Sequence, residues 1–139
     1  MELNPVTISL LTTHFADFSG HIAQHPKVEL VNGEGRWFVR ATDRRFDLVW
    51  LVAPDSYAAM NAATSGAFVL SESYLYTEEM IRDGFARLAP GGLLAAQFGE
   101  LDFELKPNRT LRYVSTAGQA LRALGIEDFR RHVLIATSP

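Results

Sequence analysis

Apolar runs of strand length alternate along the chain with longer stretches in which apolar residues recur every three or four positions. This is the rhythm of an α/β protein. Lys27-Val28-Glu29-Leu30-Val31 alternates at period two and predicts a strand. Asp47-Leu48-Val49-Trp50-Leu51-Val52 is apolar nearly throughout, which predicts a strand covered on both faces. Leu93-Leu94-Ala95-Ala96-Gln97-Phe98, after the turn Pro90-Gly91-Gly92, predicts a third strand, and His132-Val133-Leu134-Ile135-Ala136 a fourth.

Helical spacing fills the intervals. Val6, Leu10, Leu11, Phe15 and Phe18 share one helical stripe, with Pro5 placed for a first turn. Trp37, Phe38 and Ala41 predict a short helix after a glycine turn. Thr77-Glu78-Glu79 opens another, with Thr77 as cap, acidic residues at the positive end, and Met80, Ile81, Phe85 and Leu88 as its apolar stripe. A last helix runs from about Ser115 to Leu124 and ends at Gly125, a natural left-handed cap. Residues Ala53 to Ser73 are small and polar and suit a long functional loop. The order predicts a mostly parallel sheet with helices on both faces and ligands beyond the carboxyl ends of its strands.

Composition narrows the options. The 139 residues are 47% hydrophobic and 21% charged, which fits one folded core and excludes wholesale disorder. A net charge of −3 offers no positive field for a phosphate backbone, so nucleic acid is a poor partner. Cysteine is absent, which removes disulfides and thiolate chemistry and fits a reducing compartment. The N-terminus lacks the pattern of a signal peptide, and no apolar run reaches membrane-spanning length, so a cytoplasmic location without membrane contact is expected.

Four carboxylates follow the expected strands: Glu2 in Glu2-Leu3-Asn4-Pro5, Glu34 in Asn32-Gly33-Glu34-Gly35-Arg36, Asp55 in Ala53-Pro54-Asp55-Ser56, and Glu100 after Gly99. A carboxylate at the tip of a second Rossmann strand can accept both hydrogen bonds of a ribose diol. If all four surround one crevice, they suit a hydroxyl-rich or cationic ligand better than a polyphosphate. His21 and His25 are four apart, but Gly20 and Pro26 argue against a helix between them and no third ligand of matching spacing is evident, so no metal is expected. Arg44-Arg45 and Arg130-Arg131 read as solvated turn charges, Gln97 as a strand-end amide, and Trp37, Trp50 and the phenylalanines as core.

Several of these segments together resemble a family. Glu2-Leu3-Asn4-Pro5 resembles the acidic strand end of spermidine synthases and related S-adenosylmethionine-dependent methyltransferases. Val31-Asn32-Gly33-Glu34-Gly35-Arg36-Trp37-Phe38 is similar to their V-x-G-D-[GA]-R-x-F segment, and Phe46-Asp47-Leu48-Val49-Trp50 to the strand before their catalytic loop. Leu88-Ala89-Pro90-Gly91-Gly92-Leu93-Leu94 with Gln97 matches their L-x-P-G-G-x-L-x-x-Q element, and Ser71 to Thr77 also looks like spermidine-synthase-like proteins.

The resemblance implies a class I methyltransferase-type Rossmann fold over 1–139 as a single, partial domain. The resemblance also implies N-terminal truncation, since the family's glycine-rich first βα unit would be expected before Glu2. Glu2 and Asn4 would then hold the ribose of S-adenosylmethionine or a related nucleoside, with Glu34 and Gly35 at the adenine. Asp55 would fall on the second acidic position of the family's D-x-x-D loop, and Tyr76 would stand near the acceptor. The first acidic position is Val52 here. A valine cannot take a proton from a protonated amine, so aminopropyl transfer to a polyamine is disfavoured and methyl transfer preferred. The alternative expectation is a catalytically inactive Rossmann-like domain acting in assembly, plausibly as a homodimer across an uncovered sheet edge.

Overall fold

The computed structural model describes residues 1–52, 73–97, 99 and 102–137. It is a mixed α/β structure that divides into two compact units, Met1–Thr42 and Asp43–Pro139. Among the described residues it holds four α-helices and one two-stranded parallel sheet.

In the first unit, helix α1 (Pro5–Thr12) starts where Asn4 turns its side-chain oxygen onto the Val6 N–H at 2.9 Å, with Pro5 in the first turn. It is shorter than the apolar stripe predicts. The hydroxyls of Thr12 and Thr13 bond back to the carbonyls of Ile8 and Ser9, and the chain then passes into turns. Phe15 and Phe18, expected on that helix, meet edge to face beyond it, with ring centroids 6.5 Å apart. Helix α2 (Gly35–Ala41) forms where Trp37, Phe38 and Ala41 predict it and buries Val39.

Lys27–Val31 is not a strand. Val28 closes a turn onto the His25 carbonyl, and pairing is confined to one parallel bridge, Glu2 to Asn32. The alternation lacks a partner ladder, because the neighbouring chain leaves for α1 at Pro5.

In the second unit, strand β1 (Phe46–Val52) pairs in parallel with β2 (Leu88–Gln97), and helix α3 (Glu78–Ala86) lies between them in sequence. Thr77 caps α3 by accepting from the Met80 N–H at 3.2 Å, with Glu78 and Glu79 in the first turn as expected. The helix ends at Ala86, before Pro90-Gly91-Gly92, and Leu88 already belongs to β2. The glycine turn sits inside β2 instead. Phe46 pairs with Leu88 but Leu48 with Leu93, so Ala89–Gly92 loop out opposite Asp47 alone.

Helix α4 (Asn108–Ala123) closes with Gly125 at φ +83°. The Ile126 N–H reaches the Leu121 carbonyl at 3.0 Å and the Gly125 N–H the Arg122 carbonyl at 2.9 Å, the two bonds of a Schellman end.

The core of this unit lies between α3, α4 and one sheet face. Ile81, Ala117 and Ala120 form its buried cluster, with Phe85, Leu94 and Tyr113 packed against it. Met80, Ile81 and Leu121 are almost wholly enclosed, each contributing about 1.5–3 kcal/mol through burial. Two glycines let elements approach: Gly84 of α3 sits over Leu94, and Gly118 of α4 sits against the Phe129 ring.

The sequence predicts a sheet covered on both faces, and the described helices cover one. Val49 pairs with Leu94 on the helix-facing side, whereas Leu48, Trp50, Val52 and Leu93 on the other side remain largely exposed, Trp50 by 56%. Trp37 and Trp50, read as core, are therefore surface residues. The expected last strand is also absent. Phe129–His132 forms a 3-10 turn, and residues 133–137 join no strand among the described residues, with Leu134 90% exposed.

No described helix is long and apolar enough to cross a membrane.

Candidate functional site

The first unit sets two strand-end-to-helix junctions side by side. The Glu2 N–H donates to the Val31 carbonyl at 3.0 Å, and the Gly33 N–H to the Glu2 carbonyl at 3.1 Å, the two bonds of a one-residue parallel ladder. The Asn32 side chain fastens the junctions further. Its Nδ2 donates to the carbonyls of Glu2 and Leu3 at 2.9 and 3.1 Å. From this frame one chain enters α1 and the other enters α2.

Glu2 and Asn4 are linked directly: Glu2 Oε1 accepts from the Asn4 N–H at 2.7 Å while Asn4 caps α1. Glu2 Oε2 makes no hydrogen bond among the described residues. It is the oxygen open to a hydroxyl donor. Glu34 is used differently. Its two carboxylate oxygens accept from the N–H groups of Arg36 and Trp37 at 2.8 and 2.7 Å, so it is the N-cap of α2, and Gly35 is the first helical residue. Each oxygen retains a further acceptor direction, but the carboxylate is held by the helix start.

The other expected site residues are placed as follows. Tyr76 lies in the 3-10 turn Ser73–Tyr76 that leads into α3, and its ring meets that of Tyr113 edge to face at 6.2 Å. Burial pushes the Tyr113 phenol up to about 12. Val52 and Gln97 stand opposite each other at the carboxyl ends of β1 and β2. Asp55 and Glu100 lie outside the described residues, as does most of the loop from Ala53 to Ser73. Thus Glu2, Asn4, Glu34 and Gly35 share one unit and one pair of junctions, whereas Tyr76 belongs to the other unit.

Among the described residues no group of three His, Cys, Asp or Glu could hold a metal ion. His21 bonds locally, with Nε2 3.1 Å from Asp17 and Nδ1 3.0 Å from Gln24, and His25 Nδ1 accepts from the Lys27 N–H. Arg45, read as a solvated charge, instead donates to the carbonyls of Ala86 and Leu88 and ties the start of β1 to the α3–β2 junction. Arg130 and Arg131 pair with exposed Asp128.

Asn32 is the residue of this site that sequence reasoning passed over. Its only signal is an amide side chain before Gly33, which reads equally well as a turn residue.

Compared with protein-family models, curated proteins and solved structures, the chain matches none.

Proposed function

We propose that this chain is an S-adenosylmethionine-dependent transferase-like domain, of the methyltransferase or spermidine-synthase-like kind, that binds a nucleoside at the Glu2 junction. The observation that carries the reading is the parallel bridge between Glu2 and Asn32. In a Rossmann sheet of strand order 3-2-1-4-5, the second and third strands are neighbours, as are the fourth and fifth. The resemblance assigns Glu2-Leu3-Asn4-Pro5 and the Val31 segment to the first of these pairs, and β1 and β2 to the second. Glu2 and Asn32 make one parallel bridge, and β1 pairs with β2 in parallel, which supports that assignment.

In this reading Glu2 Oε2 accepts from the ribose diol, and the base lies toward Gly35, the first residue of α2. Glu34 serves the ligand indirectly, by fixing the helix start beside it. The reaction itself asks little covalent chemistry of the protein. S-adenosylmethionine, held by Glu2, would supply a methyl group for in-line displacement by an acceptor lone pair, with the C–S electron pair left on the thioether and the acceptor's proton going to solvent. Positioning and exclusion of water supply the acceleration. Val52, at the tip of β1, offers no base, so an acceptor that is already unprotonated fits better than an ammonium group.

Calorimetric titration with S-adenosylmethionine and 5′-methylthioadenosine tests this reading. Saturable heat with either ligand supports it, and none at millimolar concentration removes it.

A second reading, an inactive Rossmann-like domain acting in assembly, is favoured by one specific feature. The sheet face carrying Leu48, Trp50, Val52 and Leu93 is apolar and exposed, and β1 is paired along one edge only among the described residues. Light scattering across a concentration series decides it, and a monomer throughout counts against self-assembly.

A further inference from the structure

We propose that the exposed face of α2 binds a small aromatic anion, a planar ring carrying a carboxylate or phosphate. Glu34, Arg36, Trp37, Arg40 and Ala41 line one shallow, open depression on this face. Residues four apart stand one above the other on a helix, so Arg36 with Arg40 and Trp37 with Ala41 form two adjoining columns of this face. One column carries the cations; the other carries an indole above a methyl group.

Two features of the lining point to the ligand's chemistry. Trp37 is 66% exposed and makes no ring contact among the described residues, which leaves a large π-face in water. The Arg36 guanidinium makes no hydrogen bond or ion pair among the described residues, and its Nε is shielded from solvent. Arg45 and Arg109, by contrast, donate to backbone carbonyls, and Arg122 lies over the Phe129 ring. Glu34 does not neutralise Arg36 through an ion pair, because both its oxygens turn to the backbone N–H groups that open α2. A planar guanidinium accepts a carboxylate or phosphate in bidentate fashion, and an adjacent indole stacks on a ring. Neither a bare anion nor a neutral ring uses both. This site does not depend on Glu2 or on the nucleoside reading.

The test follows the two tryptophan indole N–H resonances of the intact chain by NMR, assigned with Trp37→Phe. Benzoate and phenyl phosphate are the probes, with benzyl alcohol, acetate and inorganic phosphate as controls. The expected result is a saturable shift of the Trp37 signal with benzoate or phenyl phosphate, weakened about tenfold in Arg36→Gln. The tighter of the two probes identifies the anionic group. Wild-type methyl shifts of Val39, which α2 buries in the same unit, show that ligand-free Arg36→Gln is folded. An equal response to benzyl alcohol would make the hollow merely apolar, and an equal response to inorganic phosphate would make it merely charged. Either result overturns the proposal, as does no saturation by either probe at millimolar concentration or undiminished binding by Arg36→Gln.

Discussion

The amide of Asn32 holds the chain at Glu2: its Nδ2 lies 2.9 Å from the Glu2 carbonyl oxygen and 3.1 Å from that of Leu3. One side chain thereby locks together two segments thirty positions apart, where the backbone alone makes a single bridge. Replacing Asn32 by Ala removes two exposed hydrogen bonds and should lower stability by about 1–2 kcal/mol in urea unfolding. Asn32→Asp should be no better, because it turns a carboxylate toward two carbonyl oxygens. Equal stability of all three proteins would show that the clamp contributes nothing.

Thr77 is the side-chain cap of α3, the helix that supplies Met80 and Ile81 to the core. Thr77→Ala should cost about 1 kcal/mol, and Thr77→Ser, which keeps the acceptor, much less. Chemical denaturation of the two variants measures the difference.

Adjacent glycines in β2 should respond unequally. A Cβ on Gly92 would lie 2.8 Å from the Phe46 carbonyl oxygen and 3.0 Å from that of Ala89, both backbone atoms. Gly91 has open space around it and only a positive φ of +80°. Gly91→Ala should cost about 1–2 kcal/mol for its backbone conformation. Gly92→Ala must move the β1–β2 ladder and should cost more, as thermal unfolding of the pair will show.

Tyr113 predicts a loss of stability in alkali. Its phenol is raised by burial from 10 to about 12 in the folded protein, so the unfolded chain gives up this proton first. Between those pH values the unfolded state binds fewer protons, and stability falls as pH rises. The loss is absent below about pH 10 and reaches roughly 2–3 kcal/mol near pH 12. Tyr113→Phe should flatten this part of the pH profile, and an unchanged slope would rule out Tyr113 as its source.

Legibility followed locality. Pro5 in the first turn of α1, the Thr77 cap of α3 and the left-handed Gly125 were readable because each depends on a few neighbouring residues, whereas Asn4 as the cap of α1 was not read. Asn4, Thr77 and Gly125 make bonds within five positions of themselves. Lys27–Val31 and His132–Ala136 have strand-like patterns but no described partner ladder, and periodicity does not report partners. Apolarity likewise predicted a β1 covered on both faces, whereas cover depends on what packs above Trp50. At the candidate site, strand-end logic pointed to Glu2, which the structure places at the bridge to Asn32, while Asn4 entered only through the resemblance. The capping role of Glu34 was hidden, since a loop carboxylate before a helix looks the same whether it awaits a ligand or binds the helix's own N–H groups.

The central claim is that Glu2 Oε2 receives a ribose diol. The most direct measurement compares, by calorimetry, the affinities of 5′-methylthioadenosine and its 2′-deoxy counterpart for the wild-type chain and for Glu2→Gln. The account predicts that wild type prefers the ribose form by about tenfold or more, and that Glu2→Gln binds both forms weakly and nearly alike. Equal wild-type affinity for the two nucleosides, or a preference that survives in Glu2→Gln, would contradict it.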